Sequence, residues 1–327
     1  MIIQILGLKK TKKDFISKIS QISSDVSILK SNLSQLNIFS DIADIRNKVT
    51  VIELKNKISI NSKGKDKNSI TINFPNLFGK AENINLNINS IKEYEVSFTK
   101  PFIFSKFLVF ANVNNSRHVK KLFDEEHIID TKEIGVSSKY FELGYGLDKY
   151  IFMKYNMPYL NINLKKGIDF TKITSMVNID FDVLRLFRYN FKIGSGMALG
   201  NIPPVDRFYL GENIKGYKNN SISPVINKNK VGGRSYLEIT NKMIFGIRNI
   251  NFYLFGSMGL NNKEENLGKI FNELPNIKTS ALGLSIGTGI SIPMHGKEGP
   301  NIDMSLAFPL VRSSNTEMYQ FSFDIGF

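Results

Sequence analysis

Residues 82–99 read ENINLNINSIKEYEVSFT. In the first half Ile84, Leu86 and Ile88 alternate with Asn83, Asn85, Asn87 and Asn89. In the second, Tyr94, Val96 and Phe98 alternate with Glu95 and Ser97. A period of two is the signature of a strand with one apolar and one polar face. The same alternation recurs along the chain. It appears in Ile70, Ile72 and Phe74, in Leu160, Ile162 and Leu164, and at the end in Tyr319, Phe321, Phe323, Ile325 and Phe327.

Two architectures share this pattern. A soluble sandwich of this length needs about 20 strands in two layers, or several domains. A transmembrane barrel turns its apolar face to lipid and an Asn/Ser/Lys-rich face to a wet lumen. The polar partners here are that set, and aromatics gather near strand ends in NLFG (76–79), KPF (100–102) and FPL (308–310). About 16 alternating segments can be placed after Asn56, an even number that suits a closed barrel. Their spans are 57–63, 68–77, 82–91, 93–101, 105–115, 131–137, 139–147, 149–157, 158–168, 172–183, 188–200, 231–241, 248–259, 280–293, 300–309 and 318–327.

Residues 1–56 differ. Ile2–Leu6 reads as a strand, and Asp14–Ser23 and Asp25–Leu36 carry apolar residues at helical spacing. Strands follow near Ile38–Ile42 and at Val49–Leu54. The division is a small α+β unit at 1–56 and an all-β barrel at 57–327.

The longest gap between strands, 201–230, contains DRFYLGENIKGY at 206–217. Loops beyond about 12–15 residues are uncommon without a function. A solvated loop has little use for Phe208, Tyr209, Leu210, Ile214 and Tyr217, so the segment is expected to fold into the barrel.

Composition excludes several function classes. The 327 residues include no Cys, so disulfides, thiolate metal sites and a Cys nucleophile are excluded. Three His without HExxH spacing make no ordinary metal or triad site, and no nucleophile–base constellation can be placed. The expectation is a non-enzyme without cofactor or metal. The net charge of +14 suits an anionic lipid surface, but it is spread along the chain and lacks an RNA-binding signature, so nucleic acid is not expected. The opening MIIQILGLKKTKK does not read as a secretory signal, since its apolar run precedes the basic residues. No apolar run is long enough for a membrane-spanning helix.

Taken together, the motifs resemble the outer-membrane barrel-assembly superfamily typified by BamA. The mitochondrial sorting-and-assembly-machinery barrel is the most similar branch. The strand–helix–helix–strand–strand order of 1–56, with LNIFSDIADI at 36–45, is similar to one POTRA domain. NLFGKAENINLNINS followed by VSFTKPF resembles the mitochondrial branch. DRFYLGENIKGY is similar to the family's long inward loop, and VGGRSYLEIT (231–240) to the next strand. NINFYLFGSMG (249–259) and GPNIDMSLAFPL (299–310) resemble closing strands.

The resemblance assigns a lumen motif of Asp206, Arg207, Phe208, Gly211, Lys215, Gly216 and Tyr217, with Glu238 as the loop's partner. Lys215 stands where the family has arginine, Glu212 where it has a second glycine, and Ser257 where it has a second carboxylate. One Lys215–Glu238 pair is therefore expected in place of a forked arginine network. Lysine cannot make the bidentate contact.

The resemblance also implies an insertase for β-barrel precursors in the mitochondrial or mitosomal outer membrane, with the POTRA domain in the intermembrane space. Its partners would be precursor polypeptides, membrane lipids and accessory subunits of an assembly complex. A lateral gate would open between the first strand (Ile58, Ser59, Ile60) and the last (Tyr319, Phe321, Ser322, Phe323, Ile325, Phe327). A polypeptide-translocating pore of the same superfamily is the alternative, and a passive porin a more distant one.

Overall fold

The computed structural model describes residues 4–45, 48–63, 67–90, 92–104, 107–122, 125–184, 187–211, 213–218, 220–226, 229–247, 250–265, 281–293, 301–311, 316 and 319–326. Ile2, Ile3, Glu212 and Phe327 lie outside these residues.

The chain opens with β1 (Gln4–Leu6), α1 (Lys13–Ile22), α2 (Val26–Gln35), β2 (Phe39–Ile45) and β3 (Lys48–Glu53). The three strands form one sheet in the order β1-β3-β2, parallel between β1 and β3 and antiparallel between β3 and β2. Asp25 starts α2 because its side chain accepts the Ile28 N–H at 2.8 Å, which satisfies one of the free amides of the first turn. Ile16 and Ile19 of α1 and Leu29 and Leu33 of α2 are buried against Val49 and Val51.

Sixteen strands follow, and they close into one barrel. They are β4 (Lys57–Lys63), β5 (Lys67–Pro75), β6 (Asn83–Ser90), β7 (Glu93–Phe104), β8 (Phe107–Leu122), β9 (Glu125–Ser137), β10 (Phe141–Gly146) and β11 (Tyr150–Asn156). Next come β12 (Leu160–Lys166), β13 (Phe170–Leu184) and β14 (Phe187–Gly200). A two-stranded ribbon, β15 (Val225–Ile226) and β16 (Asn229–Lys230), interrupts the wall. It resumes with β17 (Ser235–Ile247), β18 (Ile250–Asn262), β19 (Leu282–Pro293), β20 (Asn301–Pro309) and β21 (Tyr319–Gly326). Each strand pairs antiparallel with its neighbours, and β21 returns to β4 through Ser322↔Lys63 to Gly326↔Ser59.

Each wall strand overlaps one of the sixteen expected segments. Two spans need correction. Residues 116–130 hold most of a hairpin, because β8 runs to Leu122 and β9 starts at Glu125. There the outward face mixes apolar and charged residues, Val119 and Ile128 beside Arg117 and Asp130. Arg117 meets Asp130 across the strands through two bonds, of 2.5 and 3.0 Å, so the apolar alternation that marks a strand in lipid is lost. The segment expected at 231–241 begins only at Ser235, because Gly233 pairs with Phe208 of the loop.

Strand direction places turn 76–82 and turn 138–140 at the end of the barrel beside the N-terminal unit, and the 201–234 loop at the far end. The first contact is a polar knot. Asn76 donates to Thr11 Oγ1 at 2.7 Å and accepts the Ala81 N–H at 2.9 Å. Thr11 in turn donates to Glu53, which also takes the Lys10 and Thr11 amides at 2.7 and 2.8 Å. The Lys12 N–H reaches the Gly79 carbonyl at 2.8 Å. Ala81, Leu108 and Phe110 of the barrel join the same apolar core as the helices. The NLFGKAEN stretch is therefore a docking turn for the N-terminal unit.

Partial burial disfavours the Glu53 charge, but the Thr11 hydroxyl and the Lys10 and Thr11 amides outweigh it and hold the carboxyl below its ordinary 4.5. A lowered carboxyl pKa contributes stability above the unfolded value and loses it as pH falls through the folded one. The protection factors of α1 amides, taken against the intrinsic exchange rate at each pH, should therefore fall below about pH 4, with little change between pH 6 and 8. Asn76→Ala should loosen the same contact by about 1–3 kcal/mol at neutral pH, since it strands two buried partners. Unchanged α1 protection in that variant would sink the docking role.

Candidate functional site

The inner face of the far half of the barrel is made to receive the loop. Gly196 has no Cβ, and one built there would stand 2.4 Å from the Tyr236 ring and 2.9 Å from Phe208. The Phe208 and Tyr236 rings meet tilted by 53°, with centroids 4.7 Å apart. Gly259 and Gly283 leave room in the same way for Ile214 and Ile222. Phe208, Leu210, Ile214, Tyr217 and Ile222 of the loop are all buried, against Ala198 and Tyr236 of the wall.

Backbone pairing ties the loop to itself. Phe208 exchanges both bonds with Gly233, at 2.9 and 2.8 Å, and Leu210 exchanges both with Ile222. Asn261 of β18 donates to the Phe208 and Ile222 carbonyls at 2.8 and 3.1 Å. Gly211 holds φ of +141°, which brings its backbone against the Lys218 carbonyl and admits no side chain.

Asp206 and Lys215 clamp the loop at opposite ends. Lys165 of β12 reaches Asp206 Oδ1 at 2.8 Å, and Lys172 of β13 donates to the Asp206 carbonyl at 2.7 Å. Lys165 also lies over the Tyr150 ring at 4.0 Å, and Lys172 over Phe208 at 4.6 Å. Arg207 donates to the Val231 carbonyl at 3.2 Å, so it braces the loop from within.

At the other end the expected Lys215–Glu238 pair is replaced. Lys215 donates to Asp303 Oδ1 and Ser305 Oγ of β20, both at 3.1 Å, and to the Tyr253 hydroxyl of β18 at 2.8 Å. Tyr253 donates to the same Asp303 oxygen at 2.6 Å, and Lys242 stands 3.9 Å from the other. Glu238 instead accepts from Asn213 at 3.3 Å. The reason is direction. The loop crosses the strands, which lie about 4.8 Å apart, so two residues carry it more than one strand further round. Ile214 sits over Gly259 of β18, and Gly216 packs on Ala307 of β20. Asn213 therefore meets β17, where Glu238 is, while Lys215 has already passed to β18 and β20.

Tyr217 completes the clamp. Its hydroxyl donates to the Val311 carbonyl at 2.7 Å and accepts the Leu284 N–H at 3.0 Å. Ser257 is buried but faces Thr240 and takes no part in holding Lys215. The carboxylate missing at Ser257 is thus supplied from Asp303, one residue type on the polar face of NIDMSLAFP that alternation alone could have marked. Lys165, Lys172 and Tyr253 carried no signal beyond their place on polar faces.

The expected gate strands are neighbours. Ile58, Ser59 and Ile60 lie on β4, and Tyr319, Phe321, Ser322, Phe323 and Ile325 on β21. Among the described residues their seam holds five register pairs, as few as β9–β10, against fourteen between β13 and β14.

A closed sixteen-stranded barrel, with its longest loop folded inward and clamped to the wall, defines an outer-membrane barrel of the protein-inserting or protein-translocating class. The Omp85 superfamily domain matches residues 153–327, more than half of the chain, and the protein belongs to that superfamily. Solved structures agree in fold. BamA from Haemophilus ducreyi lacking POTRA domains 1–3 superposes with a TM-score of 0.64 at 14% identity, over 99% of this chain and 84% of that one. CdiB from Acinetobacter baumannii gives 0.60 at 12% identity, over 100% and 74%, and CdiB from Escherichia coli 0.54 at 9%, over 99% and 76%. Among curated proteins none matches in sequence.

Reversing the charges tests the corrected clamp. Lys215→Asp should lower the heat needed to unfold the barrel on gels by placing two carboxylates together. Adding Asp303→Lys should restore part of it, whereas Glu238→Lys should restore none. Equal rescue by both would refute the Asp303 pairing.

Proposed function

We propose that this protein inserts β-barrel precursors into an outer membrane through the seam between β4 and β21. The observation that carries the reading is the contrast in the wall. The loop braces β12–β13 to β18–β20 through Asp206 and Lys215, while the seam, which alone joins the first and last wall strands, lies outside that brace and rests on five pairs. In lipid each unpaired backbone group costs several kcal/mol, so an opened seam presents two edges that a precursor strand would satisfy. Strand addition at such an edge needs no bond-breaking chemistry and no cofactor.

The N-terminal unit is read as a single POTRA domain on its strand–helix–helix–strand–strand order, with β2 at a sheet edge. The resemblance of NLFGKAEN and of the DRF loop to the mitochondrial branch supports the outer membrane of a mitochondrion or mitosome, with this unit in the intermembrane space. Accessory subunits of an assembly complex belong to the same reading.

A translocating pore is the second reading, favoured by one observation. Between the N-terminal unit and the inner wall lies a chamber of about 1400 Å³, lined by Phe39, Asn73, Asn85, Asn112 and Glu142 among others. That exceeds the usual 300–1,000 Å³ of a small-molecule site.

A seam lock separates the two. Asn61 and Asp324 are register partners, so the double Asn61→Cys, Asp324→Cys protein, otherwise cysteine-free, can be tied by oxidation. Precursor insertion into proteoliposomes should fall at least about tenfold when oxidised and recover on reduction, since a tied seam offers no edge. Insertion that continues through the tied seam would overturn the gate.

A further inference from the structure

The outer face of β17 holds a polar group, Asn241, that lipid cannot satisfy. Asn241 is the seventh of the thirteen residues of β17. It shares its face with Met243, which is exposed, while Glu238 on the other face is buried in the lumen. The Tyr189 hydroxyl of β14 donates to Asn241 Oδ1 at 2.8 Å and so orients the amide. Among the described residues, Asn241 Nδ2 has no acceptor. In the neighbouring outward pair, Ser175 and Ser195 bond to each other at 2.7 Å.

Six residues separate Asn241 from either end of β17, about 20 Å along the strand and, at the usual 35–45° tilt, about 14–17 Å in depth. Headgroup carbonyls are therefore out of reach, since the hydrocarbon core extends about 15 Å on each side of its centre. An unmet amide donor at that depth calls for an acceptor from protein.

The register supplies the second observation. Asn241 is directly opposite Gly256 of β18, and a Cβ built at Gly256 meets nothing within 4 Å. A notch thus lies beside the knob, flanked by exposed Leu254 on the same strand and exposed Ile286 on β19. A two-fold axis along the membrane normal, passing between β17 and β18, would place each Asn241 over the Gly256 of the other copy. Both amides would then approach across the axis, each with a donor and a remaining lone pair. Knob, notch, donor and acceptor all come from one surface, which is the condition for an isologous contact.

We propose that a second copy of this chain docks here, so that the protein pairs within the membrane through β17 and β18 around Asn241 and Gly256. This face lies away from the β4–β21 seam in the barrel order, so pairing leaves the seam free. The proposal does not depend on whether that seam inserts precursors.

Photo-crosslinking of two differently tagged copies in proteoliposomes tests it. A benzophenone side chain at Met243 should yield an adduct of the two tags. The same probe at Ile134, exposed on the outer face of β9, should not. Asn241→Leu and Gly256→Leu should each lower the Met243 adduct about three- to tenfold, the scale of one hydrogen bond within a membrane. Asn241→Gln should retain most of it. Heat-dependent gel mobility confirms that each variant is a folded barrel, and Asn241→Leu alone carries the test if Gly256→Leu is not. No Met243 adduct, equal adducts at Ile134, adducts only with other membrane proteins, or indifference to Asn241→Leu would each overturn the proposal.

Discussion

A sheet in hydrocarbon must pair every backbone donor and acceptor within itself. That constraint closes the wall of this protein, with β21 returning to β4 after fifteen other junctions. It also makes the junctions unequal. Each register pair adds backbone bonds, so a five-pair seam opens at less expense than a fourteen-pair one. Closure is thus a requirement of the solvent, and the β4–β21 and β9–β10 junctions are the ones that rest on fewest pairs among the described residues.

The inward loop acts on the same balance. It packs apolar residues where a lumen would otherwise hold water, and it bonds to strands on two sides of the barrel. Asp206 holds to β12 and β13, and Lys215 to β18 and β20. Glycines at 196, 259 and 283 are the wall's half of this fit, since any side chain there would exclude the loop. Asp303 is the hub at one end because it faces Lys215, Tyr253 and Lys242 together. The N-terminal unit is fixed at the opposite end by Asn76, Thr11 and Glu53, which orients its sheet edge relative to the chamber.

Most of the architecture was legible in the sequence. Period-two alternation marks each wall strand because lipid and lumen are opposite solvents, and a strand between them must alternate. The signal fails at 116–130, where both solvents are water and Arg117 pairs with Asp130 on the outer face. It fails again at 231–234, where residues of strand-like composition pair with the loop rather than the wall. The DRFYLGENIKGY loop was recognisable from its aromatics, and the resemblance to the family implied that Lys215 would find a carboxylate.

Which carboxylate it finds depended on the tertiary structure. Glu238 and Asp303 are equivalent as residue types, and both lie on polar faces. Only the course of the loop across β17, β18 and β20 separates them, and that course follows from where Ile214 and Gly216 can pack. The same holds for Asn241. Alternation places it on the lipid side, but the open space at Gly256 and the single bond to Tyr189 appear only when neighbouring strands are in register. By itself, the sequence determined the solvent each side chain would face, because that is a property of one strand. Partnership is a property of several strands at once, so the fold had to decide it.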